Sequence, residues 1–381
     1  MITTDDIGYM AKAIQLADRG RYSVHPNPRV GCVIVREGEV VGTGWHERAG
    51  EPHAEVYALR EAGEKSRGAT VYVTLEPCSH YGRTPPCADA LAKAGVARVV
   101  VAVEDANPQV GGRGFARLRE AGIEIETGVL ESEARALNPG FLRVMGGGNP
   151  WLRVKMAASL DGRTAMLSGE SQWITGPEAR SDVQRLRARS AAIITGAGTA
   201  RKDNPSMTVR LAEMGPLGDY GPPAGQPLRA VIDGRLSISP ESKLVQGEGR
   251  CVVFTTPAGT NKYLASALAR AGAEVVTLEP AQPDHIQPAF TEVVTWLARE
   301  GCHELLLESG PRLAGAALEA GLVDEFWLYQ APVFLGSRAR PVAELPLNRM
   351  VEKLCFNVTD RRQVGRDQRL ILRPEGTTKR H

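Results

Sequence analysis

Aromatic residues make up only 5% of the 381-residue chain, and its charges nearly cancel, with 46 Lys and Arg against 44 Asp and Glu. A single-stranded nucleic-acid channel needs a basic groove lined with stacking rings, so this composition argues against a nucleic-acid partner. No apolar run approaches the length that spans a bilayer, which excludes a membrane helix. The opening Met1-Ile2-Thr3-Thr4-Asp5-Asp6 has neither a basic n-region nor an apolar core, so no secretory signal is expected. Cysteine is scarce: Cys32, Cys78, Cys87, Cys251, Cys302 and Cys355 are the whole set. Only Cys78 and Cys87 share a motif. The other four stand singly in apolar segments, where a free thiol behaves as a small hydrophobe. That excludes a disulfide framework and suits a reducing cytoplasm. The glycine fingerprint of dinucleotide-binding folds, Gly-x-Gly-x-x-Gly after a first strand, is also missing.

What remains is an ordinary globular composition, 43% hydrophobic and 24% charged, in a chain long enough for two domains. Met145-Gly146-Gly147-Gly148-Asn149-Pro150 is the best linker, because glycines free the backbone and Asn-Pro favours a turn. The expected domains are 1–147 and 148–381. Both halves alternate strands with helices, so both are expected to be α/β. In the first half, a helix runs from Asp5 or Asp6 to about Arg19. A hairpin of Cys32–Val35 and Val40–Trp45 follows, then a helix from His53 to Ala62, a strand at Ala69–Leu75, a helix that begins at Ala88–Lys93 and ends at Gly95, a strand at Ala97–Val103, a helix after the Val110–Gly114 loop that Gly122 ends, and a short strand at Ile123–Glu126. In the second half, seven strands begin at Trp151, Ala191, Leu228, Cys251, Glu274, Glu304 and Glu325. Helices are expected at Glu178–Arg189, Lys262–Ala271, Gln287–Arg299 and Leu313–Ala320, with a closing hairpin at Phe356–Asp360 and Leu370–Leu372. Leu211–Pro227, rich in Gly and Pro, reads as a long surface loop.

The strongest chemical signal is His53-Ala54-Glu55 followed by Pro77-Cys78 and Cys87. One imidazole and two thiolates suit Zn²⁺, and three protein ligands leave a coordination position open, as in catalytic sites. Zinc draws the pKa of a coordinated water toward neutrality, and Glu55, two residues after His53, can carry protons without being a ligand. The set matches the signature of zinc base deaminases. The bland alternative is a structural zinc site with His80 as fourth ligand, which leaves Glu55 without a role. Cys78 and Cys87 should lie at the C-terminal mouth of a strand, with His53 arriving from a neighbouring helix.

One departure is the spacing. Eight residues, Ser79-His80-Tyr81-Gly82-Arg83-Thr84-Pro85-Pro86, separate the two cysteines where the usual pattern has two. With this loop the first half resembles the family of bifunctional riboflavin-biosynthesis proteins. In that family a diaminohydroxyphosphoribosylaminopyrimidine deaminase is joined to a 5-amino-6-(5-phosphoribosylamino)uracil reductase. The second half is similar to the reductase portion through Lys155–Ala165, Gly169–Thr175, Gly198-Thr199, Asp203-Asn204-Pro205 and Glu308-Ser309-Gly310-Pro311. The resemblance implies a cytidine-deaminase-like zinc domain followed by a dihydrofolate-reductase-like domain that uses NADPH. It implies small phosphoribosylaminopyrimidine substrates and a dimer formed through the reductase domain.

Residue by residue, the same resemblance implies that Asn27, His46, His80 and Arg83 meet the deaminase substrate. Ala157, Trp173, Thr199, Asp203, Gly310, Pro311, Arg312, Leu313, Ala314, Gly315 and Ala316 would line the cofactor site. Ser171, Arg187, Met207, Arg210 and Glu308 would meet the ribosyl phosphate, with Lys155 and Glu308 flanking the reaction. Physical reasoning adds to some of these. Guanidinium forks suit phosphate, and free N–H groups at a helix start such as Pro311 hold anions. A lysine inside an apolar strand is uncommon without a partner or a task. Each also has a duller reading: His46 as a surface or cap histidine, Arg187 as part of a solvated helix face, Trp173 as core.

Overall fold

The computed structural model describes residues 2–79, 81, 85–108, 110–280, 282 and 285–376. The chain forms two compact units, Met1–Gly148 with Leu217–Ala224, and Asn149–Pro216 with Gly225–His381. Part of the expected surface loop thus belongs to the first unit, where the Tyr220 hydroxyl donates to Asp18 and Gly221 N–H donates to Arg19.

The first unit is built on a five-stranded sheet. Its strands are β1 (Gly31–Arg36), β2 (Glu39–Trp45), β3 (Thr70–Leu75), β4 (Arg98–Val103) and β5 (Glu124–Thr127), in the order β2-β1-β3-β4-β5. β1 is antiparallel to β2 and β3, whereas β3, β4 and β5 run parallel. β3 and β4 are almost wholly buried, which is why they read as continuous β-branched runs without alternation. Among the described residues, six α-helices accompany the sheet: α1 (Thr4–Asp18), α2 (Ala54–Ala62), α3 (Cys87–Ala94), α4 (Arg113–Glu120), α5 (Glu131–Leu137) and α6 (Pro139–Met145). The last two were not anticipated. They are only seven residues each and meet at Asn138, so neither builds a clear period.

Two glycines in β2 set how closely α2 approaches. A Cβ at Gly44 would meet the Ala54 carbonyl oxygen at 2.2 Å, and one at Gly42 would meet that of Ala58 at 2.2 Å. With no side chain there, the helix lies directly on the strand, and its N-cap His53 is carried to the sheet.

A buried ion pair ties α1 to this sheet. Asp6 accepts from Arg98 at 2.7 and 3.2 Å and from the Tyr72 hydroxyl at 2.9 Å. Arg98 holds the Asp6 carboxyl well below the ordinary carboxylate range, against the opposing effect of burial. Its contribution to stability is full above the unfolded-chain value, about 3.9, and is lost as pH falls toward the folded value. Urea titrations of the full chain are therefore expected to show the first unit weakening below about pH 4. Asp6→Asn should start weaker and lose less over the same acid range.

The second unit carries a nine-stranded sheet. In chain order its strands are β6 (Trp151–Ser159), β8 (Ala192–Gly196), β9 (Leu228–Ile232), β10 (Cys251–Thr255), β11 (Ala273–Thr277), β12 (Glu304–Glu308), β13 (Val323–Ala331), β15 (Phe356–Val364) and β16 (Asp367–Pro374). β7 (Arg163–Ala165) and β14 (Arg340–Pro341) form a separate two-stranded ribbon. The spatial order is β11-β10-β9-β8-β12-β6-β13-β16-β15. All neighbours are parallel up to β13, after which β16 and β15 add an antiparallel edge. Helices α7 (Pro177–Ala188), α8 (Ala197–Asp203), α9 (Lys243–Gln246), α10 (Lys262–Arg270), α11 (Phe290–Arg299) and α12 (Pro311–Glu319) fill the connections. The expected strand starts agree to within two residues except at β16, which begins three residues before Leu370, and the short β7 and β14 were not anticipated. The short helices α8 and α9 were missed, since they are too brief to show a 3.6-residue period.

Candidate active sites

In the first unit, His53 caps α2, Cys78 follows β3 by three residues, and Cys87 opens α3. Nδ1 of His53 lies 3.5 Å from Sγ of Cys78 and 3.3 Å from Sγ of Cys87. Zinc bonds of about 2.0–2.1 Å to nitrogen and about 2.3 Å to sulfur, at tetrahedral angles, imply donors about 3.5 Å apart. The three donor atoms lie within 4.8 Å of one another, and they are the metal-capable group found among the described residues. The Cys87 N–H also points to the Cys78 sulfur at 3.3 Å. Hydrogen bonding from Cys87, aided by His53 and opposed by burial, holds the Cys78 thiol well below its ordinary range. That is the state a zinc ligand requires.

Glu55 stands behind this group, 3% exposed. One of its oxygens, Oε2, is buried without a hydrogen-bond partner. Burial, helped by the nearby Cys78 charge, pushes the carboxyl up to about 7. A buried carboxylate oxygen left without a partner is costly unless something else engages it. The donor set and this orphaned oxygen together fit a zinc ion with a proton-carrying carboxylate at its side.

His46 and Asn27 join the same place. The Asn27 amide nitrogen is 3.0 Å from His46 Nε2, and His46 Nδ1 is 3.0 Å from the Pro52 carbonyl. A carbonyl can only accept, so Nδ1 carries the proton and Nε2 accepts from Asn27. The imidazole packs edge-on to His53 with ring centroids 5.4 Å apart. At 3% exposure it is buried, which corrects the surface reading, and that burial lowers its pKa. His80 and Arg83 lie outside the described residues. Sequence reasoning missed Asn138, whose amide accepts from Arg29 N–H and donates to Arg29 O, both at 2.8 Å. It clamps the loop that carries Asn27. Its only signal was an Asn-Pro step between two short helices.

In the second unit, Lys155 on β6 pairs in register with Glu308 at the end of β12. Arg187, near the end of α7, grips Glu308 with two parallel bonds of 2.6 and 2.9 Å. Both side chains are about nine-tenths buried, so Arg187 is no solvated surface charge. Burial pushes Glu308 up, but Arg187 outweighs it and the carboxyl stays lowered. Burial lowers the Lys155 pKa, with Glu308 opposing and Arg187 assisting. Lys155 has the Tyr329 ring 6.0 Å from its Nζ, and the Tyr329 hydroxyl donates to Asp182 at 2.8 Å. Sequence reasoning missed Tyr329 and Asp182. An aromatic on an apolar strand is indistinguishable from core.

The two glycine turns come together here. Gly196 and Gly310 are N-caps of α8 and α12; Gly196 ends β8, and Gly310 follows the end of the neighbouring strand β12 by two residues. A Cβ on Gly196 would lie 3.6 Å from Leu313, and one on Gly310 3.9 Å from Thr199. Pro311 starts α12, as the sequence suggested. Gly315 is pressed against the Glu344 carbonyl, where a Cβ would come within 1.9 Å. Arg312 is exposed, Leu313 and Ala316 are half-buried, and Ala314 is buried. The first turn of α12 thus offers backbone N–H groups and a positive helix end beside a second glycine turn, which fits a dinucleotide phosphate. Ala157 and Ser171 are half-buried, and Asp203 ends α8 in solvent. Trp173 is 66% exposed with Arg180 4.6 Å above its ring, so it is not core. The Met207 sulfur lies 3.9 Å from Arg187. Arg210 is exposed and paired with Glu213 at 2.9 Å.

Comparisons with known proteins find a different match in each half of the chain. Residues 3–103 match the cytidine and deoxycytidylate deaminase zinc-binding region, and residues 150–366 match the RibD C-terminal domain. The riboflavin biosynthesis protein RibD of Escherichia coli is 49% identical, over 96% of this chain and 98% of its own length. The chain belongs to the RibD family. The Haemophilus influenzae member is 40% identical over 98% of this chain and 99% of its own. The solved Acinetobacter baumannii RibD superposes with a TM-score of 0.87 at 44% identity, covering 97% and 99% of the two chains. A diaminohydroxyphosphoribosylaminopyrimidine deaminase/5-amino-6-(5-phosphoribosylamino)uracil reductase from Thermotoga maritima gives 0.82 at 30% identity, with the same coverage. Membership makes this chain a bifunctional enzyme of riboflavin biosynthesis, a zinc-dependent deaminase and an NADPH-dependent reductase. Among the described residues no helix is long and apolar enough to cross a membrane.

Proposed function

We propose that residues 1–147 deaminate 2,5-diamino-6-(5-phosphoribosylamino)pyrimidin-4-one and that residues 148–381 reduce the ribosyl chain of the product to ribityl. Water replaces the amine, which departs as ammonia. Zinc, held by His53, Cys78 and Cys87, supplies Lewis acidity and an acidified water when bound. Glu55 takes the proton from the water and returns it to the leaving amine. Asn27, oriented by His46, holds the pyrimidine edge, and His80 and Arg83 complete the substrate contacts, Arg83 at the phosphate.

In the second half, NADPH supplies a hydride to C1′ when bound along Ala157, Trp173, Thr199, Asp203 and Gly310 to Ala316. Lys155 gives a proton to the oxygen released from C1′. Its buried setting makes it a readier donor. Glu308, locked by Arg187, keeps the lysine in place. Ser171, Met207 and Arg210 fix the ribosyl phosphate. The chain works in the cytoplasm, as a dimer formed through the reductase domain.

The observation that carries this reading is the orphaned Glu55 oxygen beside three zinc donors. Metal analysis is expected to find about one zinc per chain. Chelation should abolish ammonia release while leaving NADPH oxidation on the deaminated substrate within about twofold, and added zinc should restore the first activity. Equal loss of both activities on chelation would overturn the assignment.

A further inference from the structure

Glu76 is the last residue before Pro77-Cys78 and lies just beyond the apolar strand β3. It is 5% exposed, and no ion pair to it occurs among the described residues. A buried carboxylate with no cation needs other compensation. Glu76 finds it in three backbone N–H groups of one loop: Oε2 accepts from Asp105 at 3.2 Å and Gly112 at 3.0 Å, and Oε1 accepts from Gly114 at 2.9 Å. Gly112 is the N-cap of α4 and Gly114 lies in its first turn, so two of the three donors are otherwise unpaired groups of a helix start, whose positive end suits the charge. The same loop touches the next peptide as well. A Cβ on Gly114 would stand 2.2 Å from the Pro77 carbonyl oxygen and 3.0 Å from Glu76 Oε1. The Glu76 N–H donates to Val103 O at 2.9 Å, so the residue is held to β4 from its backbone too.

We propose that Glu76 is the positioning residue of the zinc loop. Its carboxylate latches the backbone of Asp105, Gly112 and Gly114 to the exit of β3, and this latch fixes the point from which Cys78 leaves the sheet. The other two donors have their own supports, His53 at the cap of α2 and Cys87 in the first turn of α3. Cys78 stands on no regular element: the start of α3 meets it from one side, with Ala88 N–H donating to its carbonyl at 3.2 Å and Cys87 N–H to its sulfur at 3.3 Å, and Glu76 and Pro77 set the point at which it leaves the sheet. A shift of the Cys78 sulfur relative to the other donors weakens the grip on the metal without removing a ligand. The sequence carried a trace of this in an acidic residue placed just after a buried strand.

The inference rests on His53, Cys78 and Cys87 being the zinc donors. The test uses the full-length holoenzyme and two variants. In Glu76→Gln, one acceptor oxygen becomes an amide NH2, a donor that faces a backbone N–H. In Gly114→Ala, the carboxylate is untouched but the loop is pushed from Pro77. The readouts are zinc transfer to a competing chelator, deaminase kcat and KM, and reductase kcat in the same sample. Both variants are expected to release zinc about tenfold faster or more. Deaminase kcat should fall while KM and reductase kcat stay within about twofold. The double variant should be little worse than either single one, because both break one latch. Zinc release and deaminase kcat unchanged in both variants would overturn the proposal. So would equal loss of deaminase and reductase, which marks a residue that merely holds the fold. If Glu76→Gln does not accumulate, Gly114→Ala alone decides by the same measures. A parent protein without bound zinc would instead refute the underlying donor assignment.

Discussion

Glu55→Gln is expected to keep its zinc and to release ammonia about 10²–10⁴-fold more slowly, the range that a positioned acid–base group contributes. Gln has nearly the same shape and adds no charge, so the packing around this 3%-exposed side chain should survive. What disappears is the ability to take a proton and give it back. Glu55 is no member of the donor group formed by His53, Cys78 and Cys87, so metal analysis should still return the parent stoichiometry. Reductase activity in the same chain provides the internal control, and it should be unchanged. A variant that lost zinc together with activity would make Glu55 a support of the metal rather than a proton carrier. Gln leaves a polar atom at the partnerless position but has no charge to bury, so Glu55→Gln need not lower stability.

The second large effect is expected at Glu308. Glu308→Gln replaces the acceptor of two Arg187 bonds, 2.6 and 2.9 Å long, with a group that accepts at one end only. Arg187 then keeps its charge in a buried place with no counter-ion, and breaking such a pair costs about 3–5 kcal/mol. Lys155 loses the carboxylate that opposes the effect of burial, so its pKa should fall further and less of it will be protonated at neutral pH. NADPH oxidation on the deaminated substrate is expected to drop by about 10²-fold or more, the scale of a misplaced reacting group. Ammonia release should remain. Stability and chemistry can be separated by adding Arg187→Met. This removes the stranded charge and should recover thermal stability, yet it should leave the reductase inactive. Recovery of reductase activity in that double variant would show that the pair serves packing alone.

The two sites differ in how legible they were. The zinc donors could be read because metal chemistry restricts residue type: His and Cys at these spacings have few other uses, and Glu55 follows His53 by a fixed step on one helix start. The reductase residues could be placed only through family resemblance. Lys155, Glu308 and Arg187 are common types, 153 positions apart at the extremes of Lys155 and Glu308, and nothing local links them. Their pairing exists because β6 and β12 are neighbours in the sheet, with Lys155 and Glu308 in register. Trp173 and His46 went astray under the duller reading for a related reason. Periodicity estimates average burial from residue type, and neither an exposed Trp over Arg180 nor a buried His held by Asn27 follows from type.

The amino-acid sequence by itself determined the α/β class, nearly every long strand, and the three-residue group that fits a zinc ion. Hydrophobic runs, turn residues and ligand chemistry are local properties, and local properties survive in a linear string. Only the tertiary structure decided which strands lie side by side, and therefore that Arg187 locks Glu308 beside Lys155. It also decided that Gly42 and Gly44 bring His53 down onto the sheet, and that three N–H groups of a distant loop close around Glu76. Those contacts join residues far apart in the chain, and their partners are selected by packing rather than by spacing.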